Sequence, residues 1–241
     1  MKSFSLDGKE SSPMNTIFPI LRIGNDGRYT LIGTGFFIGS NGLFATAKHV
    51  LADDVDENGS LTKKLVIIHF AEKYAIREIE MVAFHPKADV AVGKVKTLIF
   101  RETNTHLENN CSAIGNQKPK NGDILSTYCY PKTTISYSEI QQINIETTVY
   151  HGPVEEVFPE GRDRVMLPSA CYQVKMGIIG GASGGPVFNE KGLVVAINSS
   201  SYENDEITFV SCITDIFDLD IHINAAKKIN PNYVKDRIFI L

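Results

Sequence analysis

The sequence has no cluster of lysine or arginine, no long apolar run and few cysteines. Each absence narrows the function. With a net charge of −4 and no basic run, neither a nucleic acid nor an acidic membrane surface has an electrostatic footing as partner. No apolar stretch approaches the roughly 20 residues that cross a bilayer. Met1 to Thr16 is polar and carries Lys2, Asp7, Lys9 and Glu10, without the apolar centre of a secretory signal. The cysteines, Cys111, Cys129, Cys171 and Cys212, are far apart and none forms a C-x-x-C pair. That spacing is unlike a zinc site, and neither a metal nor a cofactor is expected. Reduced, mostly buried thiols in a cytoplasmic protein are the expectation.

What remains is the composition of an ordinary globular chain of 241 residues, a length that suits an all-β barrel protein. Short strand patterns alternate with turn signals. Ile17 to Ile23 contains Pro19 and reads as an edge or entry strand. Tyr29 to Ile38 and Leu43 to Ala47 flank Asn41-Gly42, a hairpin signal. Leu65 to Phe70, Tyr74 to Phe84 and Val90 to Val95 complete a first β-rich half. Thr97 to Lys120 reads as the connection. Ile124 to Tyr130, Gln141 to Tyr150, Val165 to Val174, Val187 to Phe188, Leu193 to Ile197 and Ile207 to Ile213 make a second half. Many short strands separated by turns indicate a sandwich or barrel. The division expected is a polar tail over 1–15, a first barrel over 16–110 and a second over 111–241. A short C-terminal helix is predicted from Asn224 to Ile229.

Three motifs carry chemistry. His49 follows an apolar strand in Thr46-Ala47-Lys48-His49. Asp89 precedes one in His85-Pro86-Lys87-Ala88-Asp89-Val90-Ala91-Val92. Ser183 lies in Gly180-Gly181-Ala182-Ser183-Gly184-Gly185-Pro186. Alone, each has an ordinary explanation as a surface histidine, a turn aspartate and a loop serine. Together they are the parts of a nucleophilic triad. A serine hydroxyl is hardly ionised at neutral pH, so an imidazole must take its proton. A buried carboxylate on the other ring nitrogen fixes the tautomer. The glycines permit a turn that aims Gly181 N–H and Ser183 N–H at one point, an oxyanion hole.

These motifs, in the order His, Asp, Ser, resemble those of the trypsin-like (chymotrypsin-fold) serine peptidases, nearest to bacterial and HtrA-like branches. The resemblance covers about Thr16 to Leu219. It implies two six-stranded antiparallel β-barrels with the triad between them. It also implies that Gly177, or a neighbour within Met176 to Ile179, floors the P1 pocket. Asn198, Ser199, Ser200 and Ser201 would then line the substrate strand, with Ser199 bonded to Asp89. No acid lies across Met176 to Ala182, so cleavage after an uncharged P1 residue is expected. Ala182 stands where secreted trypsins carry the acid that pairs with a newly cut N-terminus, so that latch is missing. With about 20 residues after Leu219, no PDZ-type domain is expected. His106 and His151 are expected at the surface.

The function expected is a serine endopeptidase acting on proteins or peptides, with an activating protein as a further expected partner. The alternative is a catalytically silent or conditionally activated peptide-binding double barrel. A non-peptide esterase would use the same atoms.

Overall fold

The structure of the chain, a computed structural model, describes residues 3–4, 10–70, 74–100, 105–107, 109–137, 141–202 and 206–219. In the first half, β1 (Ile17–Ile23), β2 (Tyr29–Phe37), β3 (Leu43–Thr46), β4 (Lys64–Phe70), β5 (Tyr74–Phe84) and β6 (Ala91–Val95) close into an antiparallel barrel in the order β1-β2-β3-β6-β5-β4. A short helix, α1 (Lys48–Ala52), follows β3. In the second half come β7 (Ile124–Cys129), β8 (Thr134–Tyr137), β9 (Gln141–Asn144), β10 (Thr148–Phe158), β11 (Cys171–Lys175), β12 (Pro186–Phe188), β13 (Val194–Tyr202) and β14 (Ile207–Cys212). Six of these close a second barrel in the order β7-β10-β11-β14-β13-β12, while β8 and β9 form a separate hairpin. The chain is thus all-β with the double-barrel architecture that the resemblance implies.

Closure explains the apolar pattern. Alternate residues of each strand turn inward. Phe18, Phe37 and Phe44 pack together in the first barrel, with Phe18 and Phe37 centroids 4.6 Å apart. Leu125, Val174, Val187 and Val210 belong to the core of the second. The first core continues into the interface between the barrels through Tyr130, Phe188 and Ile197. The Tyr130 hydroxyl donates to the carbonyl of Ile17 at 2.7 Å, a buried bond across that interface.

Several elements differ from the sequence reading. β1 is not an edge: it pairs with β2 along its length and with β4 from Ile20 onward. Pro19 sits before the second ladder begins, where its missing N–H removes no bond. The strand expected over Gln141 to Tyr150 is broken between β9 and β10. The one expected from Val165 begins only at Cys171. Asp163 Oδ1 accepts the N–H groups of Val165, Met166 and Leu167, which commits that segment to a turn. In the expected tail, Ser3–Phe4 pairs with Cys111–Ser112 and with Glu10–Ser11. The described chain ends after a 3₁₀ helix, Ile213–Asp218, which the sequence pattern did not announce. The helix predicted at Asn224 to Ile229 lies outside the described residues.

Candidate active site

His49 lies on α1 rather than at the end of β3. Its ring stands at the mouth of a cleft, with 47% of the side chain exposed. Asp89 ends the turn before β6. Its carboxylate accepts both donors that His49 offers: Nδ1–H to Oδ2 at 2.8 Å and the backbone N–H to Oδ1 at 3.0 Å. Such a bond puts the ring proton on Nδ1 and leaves Nε2 as an acceptor. Burial pushes the Asp89 carboxyl upward. Hydrogen bonds and charge from His49, with a hydrogen bond from Ser199, outweigh it and hold the group below the usual carboxylate range.

His85 builds the turn that presents Asp89. It is buried, and its Nδ1 accepts the N–H groups of Ala88 at 2.6 Å and Lys87 at 3.2 Å. The chemistry of H-P-K-A-D is therefore divided. The aspartate faces His49 and the histidine closes the loop.

Ser183 is held by its backbone against the first barrel. Thr34 donates its N–H to the Ser183 carbonyl and its hydroxyl to the Gly181 carbonyl, both at 2.8 Å. Thr46, just before α1, donates to the Thr34 carbonyl at 2.8 Å. Gly184 has φ +82°, and a Cβ there would lie 2.0 Å from Thr46 Oγ1. Only glycine lets the serine turn approach α1 so closely. Among the described residues the Ser183 hydroxyl makes no hydrogen bond, a common state for an unliganded site.

The turn also sorts its amides. Ala182 N–H donates to Ile179, Gly184 N–H to Asn198 and Gly185 N–H to Ala182. Among the described residues Gly181 N–H and Ser183 N–H have no acceptor. Gly181 has φ +88°, so these two free donors flank a strained position only glycine occupies readily. Free, fixed N–H pairs suit a developing oxyanion.

The serine-rich stretch does not follow β13 but forms its end. A register shift between Asn198 and Ser200 marks a bulge at Ser199. Bulges re-aim side chains, and here two successive residues turn inward. Ser199 is buried, with its hydroxyl 2.7 Å from that of Ser211 and acting on Asp89. Asn198, expected in the substrate strand, is instead fully buried beneath the serine turn. Its Nδ2 donates to Thr127 Oγ1 at 2.8 Å and to the Ala182 carbonyl at 3.2 Å. Ser200 and Ser201 stay partly exposed. Gly177 is partly exposed, and a Cβ on it would lie 3.6 Å from Glu206 Cγ. Among the described residues, the acid beside that position is Glu206, in the β13–β14 turn. His106 and His151 are exposed. All four cysteines are free and buried. Among the described residues no cluster of His, Cys, Asp or Glu is arranged to hold a metal ion, and no helix is long and apolar enough to cross a membrane.

Residues 33–197 match the model of a family described as a trypsin-like peptidase domain. No curated protein matches the sequence. Solved structures with the same fold include Deg5, at 20% identity over 84% of this chain and 86% of that one, with a TM-score of 0.62. The Rv3671c protease from M. tuberculosis in its active form is 17% identical over 91% and 85% of the two chains, with a TM-score of 0.64. A serine endoprotease from Yersinia pestis is 22% identical over 84% of this chain and 60% of that one, with a TM-score of 0.58.

Proposed function

Because the chain belongs to the trypsin-like peptidase family, we propose that it is a serine endopeptidase working through His49, Asp89 and Ser183. The observation that carries this reading is the doubly bonded His49–Asp89 pair beside a serine turn gripped by Thr34. Ser183 Oγ attacks the scissile carbonyl as His49 Nε2 takes its proton. Charge on the former carbonyl oxygen is received by Gly181 N–H and Ser183 N–H. His49 then protonates the leaving amine, the acyl-enzyme forms, and water attacks by the reverse path. Asp89 stabilises the imidazolium at each step without taking its proton.

The P1 residue is uncharged in this reading. Met176 to Ala182 offers no acid, and Glu206 is an exposed carboxylate. An exposed ion pair contributes about 1 kcal/mol at most, too little for a dominant basic preference. Four buried free thiols are in keeping with a reducing, cytoplasmic setting. The unbonded Ser183 hydroxyl favours one second reading, a site that is completed only by an activating protein partner.

Digestion of an unbiased peptide library tests the proposal. The parent should cleave after apolar or small residues, and Ser183→Ala should lose roughly 10⁴–10⁶-fold in turnover. Cleavage by the alanine variant at the parent rate would remove Ser183 as nucleophile. A parent that cleaves only when a second protein is added would favour the partner-dependent reading.

A further inference from the structure

We infer that the cleft on the His49 side selects an acidic side chain at P2 or P4 of the substrate, and that Lys48 and Lys87 select it. The direction of the substrate rests on the peptidase reading above. The cleft has a volume of about 460 Å³ and reaches from His49 to Ser199 and Ser200, with Val165 and Met166 across it. An extended peptide alternates its side chains between two faces. A strand laid along Ser200 and Ser201 with P1 turned toward Gly177 therefore sends P2 and P4 to the opposite face, into this cleft.

One wall is apolar and already fixed. Val165 and Met166 are 83% and 63% exposed, unusual for neighbouring apolar residues. The loop that shows them is nonetheless tightly built. Asp163 Oδ1 accepts three of its N–H groups, and Arg162 pairs with Asp163 at 2.8 Å while lying 4.2 Å over the ring of Phe209. A wall held in place before binding loses little entropy when a ligand arrives.

The other side carries charge of one sign. Lys87 is exposed and, among the described residues, forms no ion pair. Lys48 is half-buried, and its Nζ donates to the His85 carbonyl at 3.2 Å near the ring of Phe84. It too meets no carboxylate among the described residues. Among the described residues the one carboxylate lining the cleft, Asp89, is committed to His49 through both of its oxygens. A ligand thus meets a cleft lined by apolar side chains and by two lysines that, among the described residues, pair with no carboxylate. Glutamate fits both features, with methylenes against Val165 and Met166 and a carboxylate toward the lysines. A basic side chain would be repelled there.

The test measures binding to the Ser183→Ala protein, so turnover plays no part. Peptides identical but for Glu, Gln or Lys at P2 and at P4 are titrated by fluorescence anisotropy at low and high salt. The Glu peptide should bind roughly fivefold tighter than the Gln peptide at low salt, the scale of one or two partly screened ion pairs. Added salt should shrink that advantage. Adding Lys48→Met should reduce it, and adding Lys87→Glu should turn it toward the Lys peptide. Equal affinities for Glu and Gln peptides, absence of binding, or a preference unchanged by Lys87→Glu overturns the inference. Fluorophosphonate labelling of the unsubstituted protein runs alongside. Labelling without a Glu preference rejects the acidic subsite and keeps the peptidase. A Glu preference without labelling does the reverse.

Discussion

Thr34→Val perturbs the grip of the first barrel on the serine turn while leaving shape almost unchanged. Thr34 is fully buried. Its hydroxyl donates to the Gly181 carbonyl at 2.8 Å and accepts the Tyr130 N–H at 3.3 Å. Valine fills the same space, so packing is kept and both bonds are lost. The Tyr130 N–H is then left buried, and the Gly181 carbonyl part-buried, without partners, at about 1–3 kcal/mol each with both toward the low end. A loss of roughly 2–4 kcal/mol in stability follows. The backbone bond from Thr34 N–H to the Ser183 carbonyl survives, so the turn keeps one of its two anchors. Gly181 then moves more freely than Ser183, and the oxyanion donors lose their common aim. A fall in turnover of roughly tenfold to a hundredfold is expected from such misplacement. Urea unfolding reads the stability and the rate of active-site labelling reads the aim. A variant as stable as the parent that labels at the parent rate would refute the role given to Thr34.

Asp89→Asn should fold and lose about 10⁴-fold in turnover, because an amide opposite Nδ1 favours the wrong histidine tautomer. Steady-state kinetics check this, and near-parental activity would sever Asp89 from His49. The depressed Asp89 pKa also makes a stability prediction. Its contribution is present above the unfolded carboxylate value of about 3.9 and is lost as pH falls through the lower folded value. Acid unfolding of the parent should therefore be steeper than that of Asp89→Asn below about pH 4. For P1, Glu206→Gln should leave the preference for uncharged residues in place. A dominant cleavage after Lys or Arg that vanishes in this variant would make Glu206 the specificity residue.

The sequence made the three reactive residues legible because each sits in a local pattern with its own chemistry. The barrels were legible from short apolar strands between turns. The supports of the site were not. Thr34 and Thr46 are single threonines within strands, and nothing local distinguishes a hydroxyl facing another barrel from one facing solvent. Asn198 looked like a substrate contact because β13 was expected to end before it. The strand continues instead, and the bulge at Ser199 turns both residues inward. His85 was passed over beside Asp89, although a histidine two and three residues before free amides can close a turn. The loop from Asp163 to Leu167 was hidden by Val165 and Met166, whose apolar character suggested a strand while the Asp163 carboxylate bound its backbone. Glu206 reaches Gly177 only because β14 pairs with β11, a relation between distant segments.

The central claim is that Ser183 is a nucleophile activated by His49. A fluorophosphonate probe followed by peptide mapping tests it directly. The account predicts one adduct, on Ser183, absent in Ser183→Ala and slowed at least about 10³-fold in His49→Ala, the scale of losing a triad member. An adduct on another residue, or labelling of Ser183 that proceeds equally well without His49, would contradict it.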